Sequence, residues 1–314
     1  MFRIGATAEI PHSHRMTQNI STRSWVELGL LGLIWGGVFL ATRIALDEIS
    51  VLHAVAHRLI WAAAILWGFV LWKGYPIPRR PRIWLALLVM GALNNIIPFT
   101  LLSWAQLSIE SGLTAIFNAS TALFGVVVAA IFLKDERLNL RKTLGVGVGF
   151  AGVVLAIGPE AITQFDLRSL AQLAAIAATL SYAFAGVWAR KFLSELTPQV
   201  AAMGMVTGSA LVMLPLSWMI DGPLPLSMGA TTWAAVLYYA LVATALAYLL
   251  YYRILAAAGS GNLMLVTLII PPVAICLGAW LRNESIPPLA YFGLGLLAFG
   301  LVILDGRLFK RRSI

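Results

Sequence analysis

Apolar residues form ten runs of about 18 to 22 residues, separated by short breaks rich in charged residues, glycine or proline. An α-helix of that length crosses roughly 30 Å of hydrocarbon. No break is long enough to hold a folded soluble domain. We therefore predict ten transmembrane spans, at residues 27–46, 51–72, 83–103, 112–133, 141–158, 169–189, 198–220, 232–253, 262–281 and 287–304.

The pattern recurs within the chain. Residues 121–157 correspond to residues 269–305 at an offset of 148 (284 minus 136), so that Glu136 falls on Glu284 and Gly152 on Gly300. Each segment has an apolar helix, a polar corner with a glutamate, and a glycine-striped helix. Five spans per half is an odd number, so the second half enters the membrane upside down. We predict an all-α integral membrane protein whose ten transmembrane helices form two inverted five-helix repeats, as in alternating-access transporters.

Lysine and arginine predict the orientation. Eighteen of them lie in the tails and in the loops on the same side as the tails, and only Arg168 and Arg282 lie in the opposite loops. Because basic residues in short loops are retained in the cytoplasm, both termini are predicted to be cytoplasmic. The predicted organisation is a basic tail at 1–24, a first repeat at 25–158, a second repeat at 159–305 and a basic tail at 306–314. The first tail lacks the apolar core of a secretory signal.

Composition agrees with a membrane protein. Hydrophobic residues make up 60% of the chain and charged residues 11%, with a mean hydropathy of +0.88; soluble domains carry about 25% charged residues. The net charge of +9 follows from topology, so we expect no nucleic-acid partner. The chain has one cysteine and no nucleotide-binding, triad or HExxH motif, which argues against a cofactor, a resident metal and nucleotide hydrolysis. Transport would run on a gradient.

A family resemblance rests on particular residues. The IWGGVF segment in span 1, Arg58 in span 2, and the repeated corners at Glu136 and Glu284 resemble the drug/metabolite transporter superfamily, specifically its ten-span family with two EamA-type repeats. The resemblance covers about residues 25–305 and implies a substrate path among spans 1 to 4 and 6 to 9, with spans 5 and 10 peripheral. It implies export of small metabolites or drugs.

The resemblance also implies a proline about thirteen residues before each corner glutamate, where a missing hydrogen bond would allow a hinge. Pro271 occupies that position in the second half, but Leu123 occupies it in the first. We therefore expect the two halves to flex unequally.

Charged residues narrow the substrate. All thirteen acidic residues fall in tails, loops or outermost helical turns. A proton-coupled exporter of organic cations needs an intramembrane carboxylate, so neutral, zwitterionic or anionic substrates are favoured. Arg58, about seven residues inside span 2, is predicted to face a wet cavity and to capture a carboxylate or phosphate. The alternative is a purely structural partner, such as a backbone carbonyl.

Further polar and aromatic residues lie within the spans. Asn94, Asn95 and Asn118 are groups that lipid cannot satisfy; they either line a site or bond neighbouring helices. Trp35 and its repeat partner Tyr182 lie at span centres, where an aromatic ring walls a cavity or simply packs. The predicted substrate-binding residues are Trp35, Arg58, Asn94, Asn95, Asn118, Tyr182 and Pro271. We predict no metal-binding residue.

His53 and His57 share a helix face because they are four residues apart. They are weak candidates for metal binding or a proton relay, and packing in an outer vestibule is favoured over both.

The leading hypothesis is an alternating-access secondary transporter of the cell membrane that exports small metabolites such as amino acids. The alternatives are an exporter of drugs or cations, a membrane-embedded enzyme built around His53, His57 and Glu48, and a pore or receptor. The expected partners are a small-molecule substrate, the lipid bilayer and, as a coupling-ion candidate, the proton. Monomer and homodimer both stay open.

Overall fold

The computed structural model describes residues 21–134, 136–158, 167–251, 253–254, 257 and 266–305, and every regular element among them is a helix. Nine of these helices are long and apolar enough to cross a membrane, and α9 is a shorter apolar helix. Residues 1–20 of the predicted first tail (1–24) and the whole predicted second tail (306–314) lie outside the described residues. The helices are α1 Thr22–Ala45, α2 Val51–Trp72, α3 Pro81–Ala105, α4 Ser111–Phe132, α5 Leu140–Ile157, α6 Leu167–Phe192, α7 Pro198–Asp221, α8 Ala230–Tyr251, α9 Val266–Arg282 and α10 Pro288–Asp305.

Capping side chains and glycines in the polar breaks determine where the helices begin and end. The Ser50 hydroxyl accepts the backbone N–H of His53 and caps the start of α2, satisfying a donor that has no partner within the helix. Gly158 and Gly222 follow α5 and α7 with φ of 82° and 87°, a backbone conformation that residues with a Cβ rarely adopt. The breaks seen in sequence therefore act as helix terminators.

Helix packing is symmetric under exchange of the two halves. α2 packs on α7, α4 on α9, and α5 on α10. The contacts of α1 with α9 and α8 are matched by contacts of α6 with α4 and α3. Each helix of one half therefore finds its equivalent environment in the other half.

The two halves are inverted. Three contacts join one set of helix ends: Asp47–Arg282, Ser111–Glu284 and Glu110–Arg168. Asp47 follows the end of α1, whereas Arg168 lies at the start of α6, so equivalent helices run in opposite directions. We name this the Glu284 end. At the other, the Glu136 end, Glu136 after α4 pairs with Arg190 near the end of α6. The predicted inverted repeat is confirmed.

Glycines bring α5 and α10 into backbone contact. A Cβ on Gly152 would lie 2.6 Å from the Gly293 carbonyl oxygen, and one on Gly300 would lie 2.5 Å from the Gly149 amide nitrogen. Such approach needs small residues, as at many membrane helix interfaces. The main contact of each of these helices is the other, which leaves α1 to α4 and α6 to α9 to surround the interface between the halves.

Four helices at that interface are irregular. α3 is π-helical at Ala92–Ile96 and α8 at Tyr238–Leu246; the offset of 148 carries residues 92–96 onto 240–244, inside the second segment. α4 is interrupted at Ser120, and α9 contains Pro271 and Pro272. Irregular backbone at membrane depth is tolerated where protein buries it or where it lines a cavity, and π segments often mark functional sites.

Candidate functional site

Arg58 of α2 lies between aromatic rings of α3 and α8. Its guanidinium carbon is 3.7 Å from the centre of the Phe99 ring and 6.0 Å from that of Tyr239. Its Nε donates to the Thr244 hydroxyl at 3.1 Å, and Thr244 donates to the Tyr239 carbonyl at 2.8 Å, five residues earlier in the π segment. No carboxylate pairs with Arg58 among the described residues. Hydroxyl and ring faces therefore stabilise its charge.

Polar groups from α3, α6 and α8 extend this cluster. Asn94 Nδ2 donates to the Tyr248 hydroxyl at 3.2 Å. Tyr182 and Tyr248 both pack against the buried apolar cluster that contains Leu59 and Phe99, beside Arg58. The structure thus brings together Arg58, Asn94 and Tyr182, three of the predicted residues, from three different helices. We name Arg58, Asn94, Phe99, Tyr182, Tyr239, Thr244 and Tyr248 the Arg58 cluster.

Trp35 lies beside the cluster, between the irregular parts of α8 and α9. Its Nε1 donates to the Ala243 carbonyl at 3.1 Å, and its ring centre is 5.8 Å from that of Tyr251. It also packs against Ile270, the residue before Pro271. The symmetric contact is made by the neighbour of Tyr182, since Ser181 donates to the Leu93 carbonyl in the π segment of α3 at 2.7 Å.

The other predicted residues lie around the Arg58 cluster. Asn95 is fully buried and its Nδ2 donates to the Ser209 hydroxyl at 3.0 Å, which ties α3 to α7. Asn118 is half-buried just before the interruption at Ser120 and makes no side-chain hydrogen bond to another described residue. Pro271 is buried where α9 meets α1: a Cβ on Gly36 would lie 3.0 Å from the Ile270 carbonyl oxygen.

The two histidines hold the loop between α7 and α8. The buried His57 ring contacts the Pro225 carbonyl through Nε2 at 2.9 Å, and its Nδ1 lies 3.2 Å from the Trp61 indole nitrogen. Because an indole N–H only donates, Nδ1 accepts, Nε2 donates and the ring is neutral. His53 contacts the Gly222 carbonyl at 3.2 Å. The described residues contain no group of three His, Cys, Asp or Glu placed to hold a metal ion. These contacts support the packing interpretation.

A small cavity adjoins Arg58. Its volume of about 10 Å³ is on the scale of one water molecule, so in this conformation it has no room for a larger molecule. The lining residues are Thr42, Ala54, Val55, Arg58, Phe99, Ser103 and Tyr239. A larger but shallow groove of about 290 Å³ on α7, at Leu214, Pro215, Trp218 and Met219, has no charged lining residue and shares no residue with the cavity beside Arg58.

The sequence did not indicate most of the cavity lining, nor one member of the Arg58 cluster. The lining residues Thr42, Phe99, Ser103 and Tyr239, and Tyr248 of the Arg58 cluster, are absent from the predicted site. The available signal was spacing: Phe99 and Ser103 are four residues apart and share a face of α3, and Tyr248 is a hydroxyl-bearing residue inside an otherwise apolar span.

Contacts between the halves close the Glu284 end. The Glu48 carboxylate accepts hydrogen bonds from the Thr232 hydroxyl and the Gly229 amide, and these bonds, that from Thr232 first, lower the pKa of Glu48 below its usual 4.5. This contact is therefore present at neutral pH and is lost as the pH falls through the lowered pKa. Arg168 and Arg282, the two exceptions to the charge asymmetry, pair here with Glu110 at 2.9 Å and Asp47 at 3.0 Å.

Ion pairs also connect the described helices at the Glu136 end. Glu27 of α1 pairs with Arg253 at 2.8 Å, and Glu136 pairs with Arg190 at 3.2 Å. Both pairs join the first half to the second. In this conformation ion pairs or hydrogen bonds therefore connect the two halves at both ends.

Comparison with known proteins adds the family. The model of the EamA-like transporter family matches residues 24–158 and again residues 169–304. A relative from Streptantibioticus cattleyicolor is named "Probable terminal-alkyne amino-acid exporter". The two sequences are 26% identical, and the alignment includes 93% of this chain and 96% of the relative. An Escherichia coli relative, "Probable amino-acid metabolite efflux pump", is 25% identical over 87% of this chain and 92% of its own. A crystal structure 19% identical in sequence shares the fold, with a TM-score of 0.66 over 93% of this chain and 98% of the other.

Proposed function

Because this chain belongs to the EamA-like transporter family, we propose that it is a secondary exporter of small carboxylates, α-amino acids first among them. It would lie in the cell membrane with both termini in the cytoplasm, as the distribution of Lys and Arg favours. Relatives whose names contain an amino-acid cargo support this choice of substrate. The Arg58 cluster supports it independently.

The observation that carries the proposal is the state of Arg58. Its Nε is bonded to Thr244, whereas Nη1 and Nη2 make no hydrogen bond to another described residue. A carboxylate would take both in a two-pronged contact, the geometry for which a guanidinium is suited. Such a contact would also neutralise a charge that is costly inside a membrane.

The surroundings of Arg58 favour a particular kind of carboxylate. The rings of Phe99, Tyr239 and Trp35 offer apolar surface, while Asn94 and Tyr182 offer polar groups beside it. Rings of this kind stack well on apolar or aromatic side chains. We therefore expect neutral amino acids with apolar side chains to be preferred.

The mechanism would be alternating access. The contacts at the Glu284 and Glu136 ends would break in turn as the halves rock, with Arg58 between them. The interruption at Ser120 and the prolines at 271 and 272 would supply the bending points. A gradient of the substrate or of protons would drive the cycle.

A proteoliposome assay tests the proposal. Proteoliposomes that contain the purified protein are loaded with unlabelled L-phenylalanine, L-leucine or another amino acid. Counterflow is then measured as uptake of the same compound in radiolabelled form. The decarboxylated analogue phenethylamine and the des-amino analogue 3-phenylpropanoate serve as competitors. We expect counterflow of an amino acid that the amine does not inhibit.

Two results would contradict the proposal. Preferential exchange of phenethylamine would indicate an exporter of cations, and conversion of a compound into a product would indicate an enzyme. Neither fits an arginine as the charged group of the cluster.

A further inference from the structure

A polar row continues from Arg58 along the last turns of α3. Phe99, Ser103 and Gln106 are spaced by four and three residues and share one helix face. Ser103 lines the cavity beside Arg58, together with Thr42 of α1. Ser103 is 5% exposed, Thr42 6% and Gln106 2%. Two buried hydroxyls therefore lie beside Arg58, and a buried amide lies one turn further along α3.

These side chains have unused hydrogen-bonding capacity. Neither the Thr42 nor the Ser103 hydroxyl bonds another described residue, and Gln106 Oε1 is buried without a partner. Buried polar atoms are ordinarily paired, because leaving one unpaired is unfavourable. Two open hydroxyls at the cavity, with an unpaired buried acceptor one helical turn further along the same face of α3, indicate a ligand that carries both oxygens and N–H groups.

The row lies between Arg58 and the Glu284 end. α1 ends at Ala45 and α3 at Ala105, so Thr42 and Ser103 occupy the last turns of their helices, with Gln106 at the C-cap of α3. Arg58 lies seven residues after Val51, roughly 10 Å along α2 at 1.5 Å per residue. A substrate leaving Arg58 towards the Glu284 end would pass this row before it reached the contacts of Asp47 and Glu48.

We propose that Thr42, Ser103 and Gln106 form an outer subsite that receives an α-amino acid from Arg58 on its way out at the Glu284 end. The carboxylate moves from the guanidinium to the two hydroxyls, and the ammonium group donates to Gln106 Oε1. Neutral donors hold a carboxylate less strongly than a guanidinium does, so the transfer favours release. The subsite rests on the proposed function and adds to it a requirement for the amino group.

Gln106→Leu tests the amino-group contact, with Gln172→Leu as the matched control. Gln172 of α6 also has a buried, unpaired Oε1, but its amide bonds the Ile157 carbonyl on α5, away from the cavity. In counterflow with L-phenylalanine and 3-phenylpropanoate, Gln106→Leu should reduce the preference for the amino acid at least five-fold. Gln172→Leu should leave the preference within two-fold of wild type. Thermal stability of Gln106→Leu should not fall, since the change removes an unpaired polar atom.

Ser103→Ala and Thr42→Val test the hydroxyls. Stabilisation of the purified variants by L-phenylalanine should stay within two-fold in apparent affinity, because Arg58 is retained, while net efflux should slow at least five-fold. Thr42→Ser, which keeps the hydroxyl, should restore efflux.

The failures are distinguishable. If wild type exchanges no amino acid in the panel, the proposed function is wrong. If wild type exchanges one but the preference is the same in Gln106→Leu, or efflux is unchanged in both hydroxyl variants, the subsite is wrong and the exporter stands.

Discussion

Arg58→Lys separates substrate capture from a structural role. Lysine keeps the positive charge but loses the hydrogen bond of Nε to Thr244 at 3.1 Å and the paired Nη donors. Loss of one hydrogen bond to a charged group costs about 1.5 to 3 kcal/mol. At 1.4 kcal/mol per factor of ten, the apparent affinity for a carboxylate substrate should fall about 10- to 100-fold.

The control is Thr244→Val. It removes the acceptor of Nε but leaves Nη1 and Nη2 for the substrate. It should cost about 2 to 4 kcal/mol of stability, because the charged hydrogen bond from Arg58 and the bond from Thr244 to the Tyr239 carbonyl are both lost, with little effect on substrate preference. If Arg58 only ties α2 to α8, the two variants should behave alike.

The assay pairs counterflow in proteoliposomes with thermal unfolding of the same preparations. Arg58→Lys should show a raised half-saturation concentration at a melting temperature near that of Thr244→Val. A lowered melting temperature in Arg58→Lys and Arg58→Ala, with unchanged apparent affinity of the surviving protein, would refute carboxylate capture.

Three further predictions concern the ends of the helices. Single cysteines replacing Glu136 and Glu284, in a variant without the native cysteine, should react with an impermeant thiol reagent from opposite sides of the membrane; reaction of both from outside would contradict the proposed orientation. Glu27→Gln should keep most transport activity, because Glu27 pairs with two arginines near the helix start rather than carrying protons at mid-membrane, and complete loss in a folded variant would overturn the substrate-charge argument. Asp47→Ala should lower stability by at most about 1 kcal/mol, as expected for a partly exposed ion pair, and exchange of the Asp47 and Arg282 side chains should restore it, as measured by thermal unfolding.

The helices could be predicted from the sequence because the hydrocarbon core of a membrane requires them to be apolar and of a set length. A span must be apolar and about 20 residues long, so a run such as 51–72 coincides with Val51–Trp72. The π segments could not be predicted from the sequence. Their carbonyls accept hydrogen bonds from Trp35 and Ser181, which lie 208 and 88 residues away along the chain. Local helix propensity does not depend on such distant partners.

Only the site residue whose burial in the membrane is energetically costly could be predicted with a reason from the sequence. Arg58 stood out because a charge within a span needs an explanation. Its neighbours Phe99 and Tyr239 did not, since a chain with 14 Phe, 8 Tyr and 11 Trp offers too many aromatic residues to choose among. Asn94 and Asn95 were equivalent in sequence, yet beyond their mutual contact their amide nitrogens donate to different helices, Asn94 to Tyr248 of α8 and Asn95 to Ser209 of α7. Adjacent residues on a helix do not share a face.

Inversion also gives the two ends different chemistry from one ancestral corner. Glu136 meets Lys142 and Arg190, both partly exposed, at 3.3 and 3.2 Å. Its equivalent Glu284 accepts the amide and hydroxyl hydrogens of Ser111, which are neutral donors. The proposed orientation explains the difference, because it places the Glu136 end on the cytoplasmic side, where basic residues are retained, and the Glu284 end on the other, where they are depleted. Salt screens exposed ion pairs and hardly affects hydrogen bonds from neutral donors, so contacts that the repeat made equivalent in position differ in their response to ionic strength.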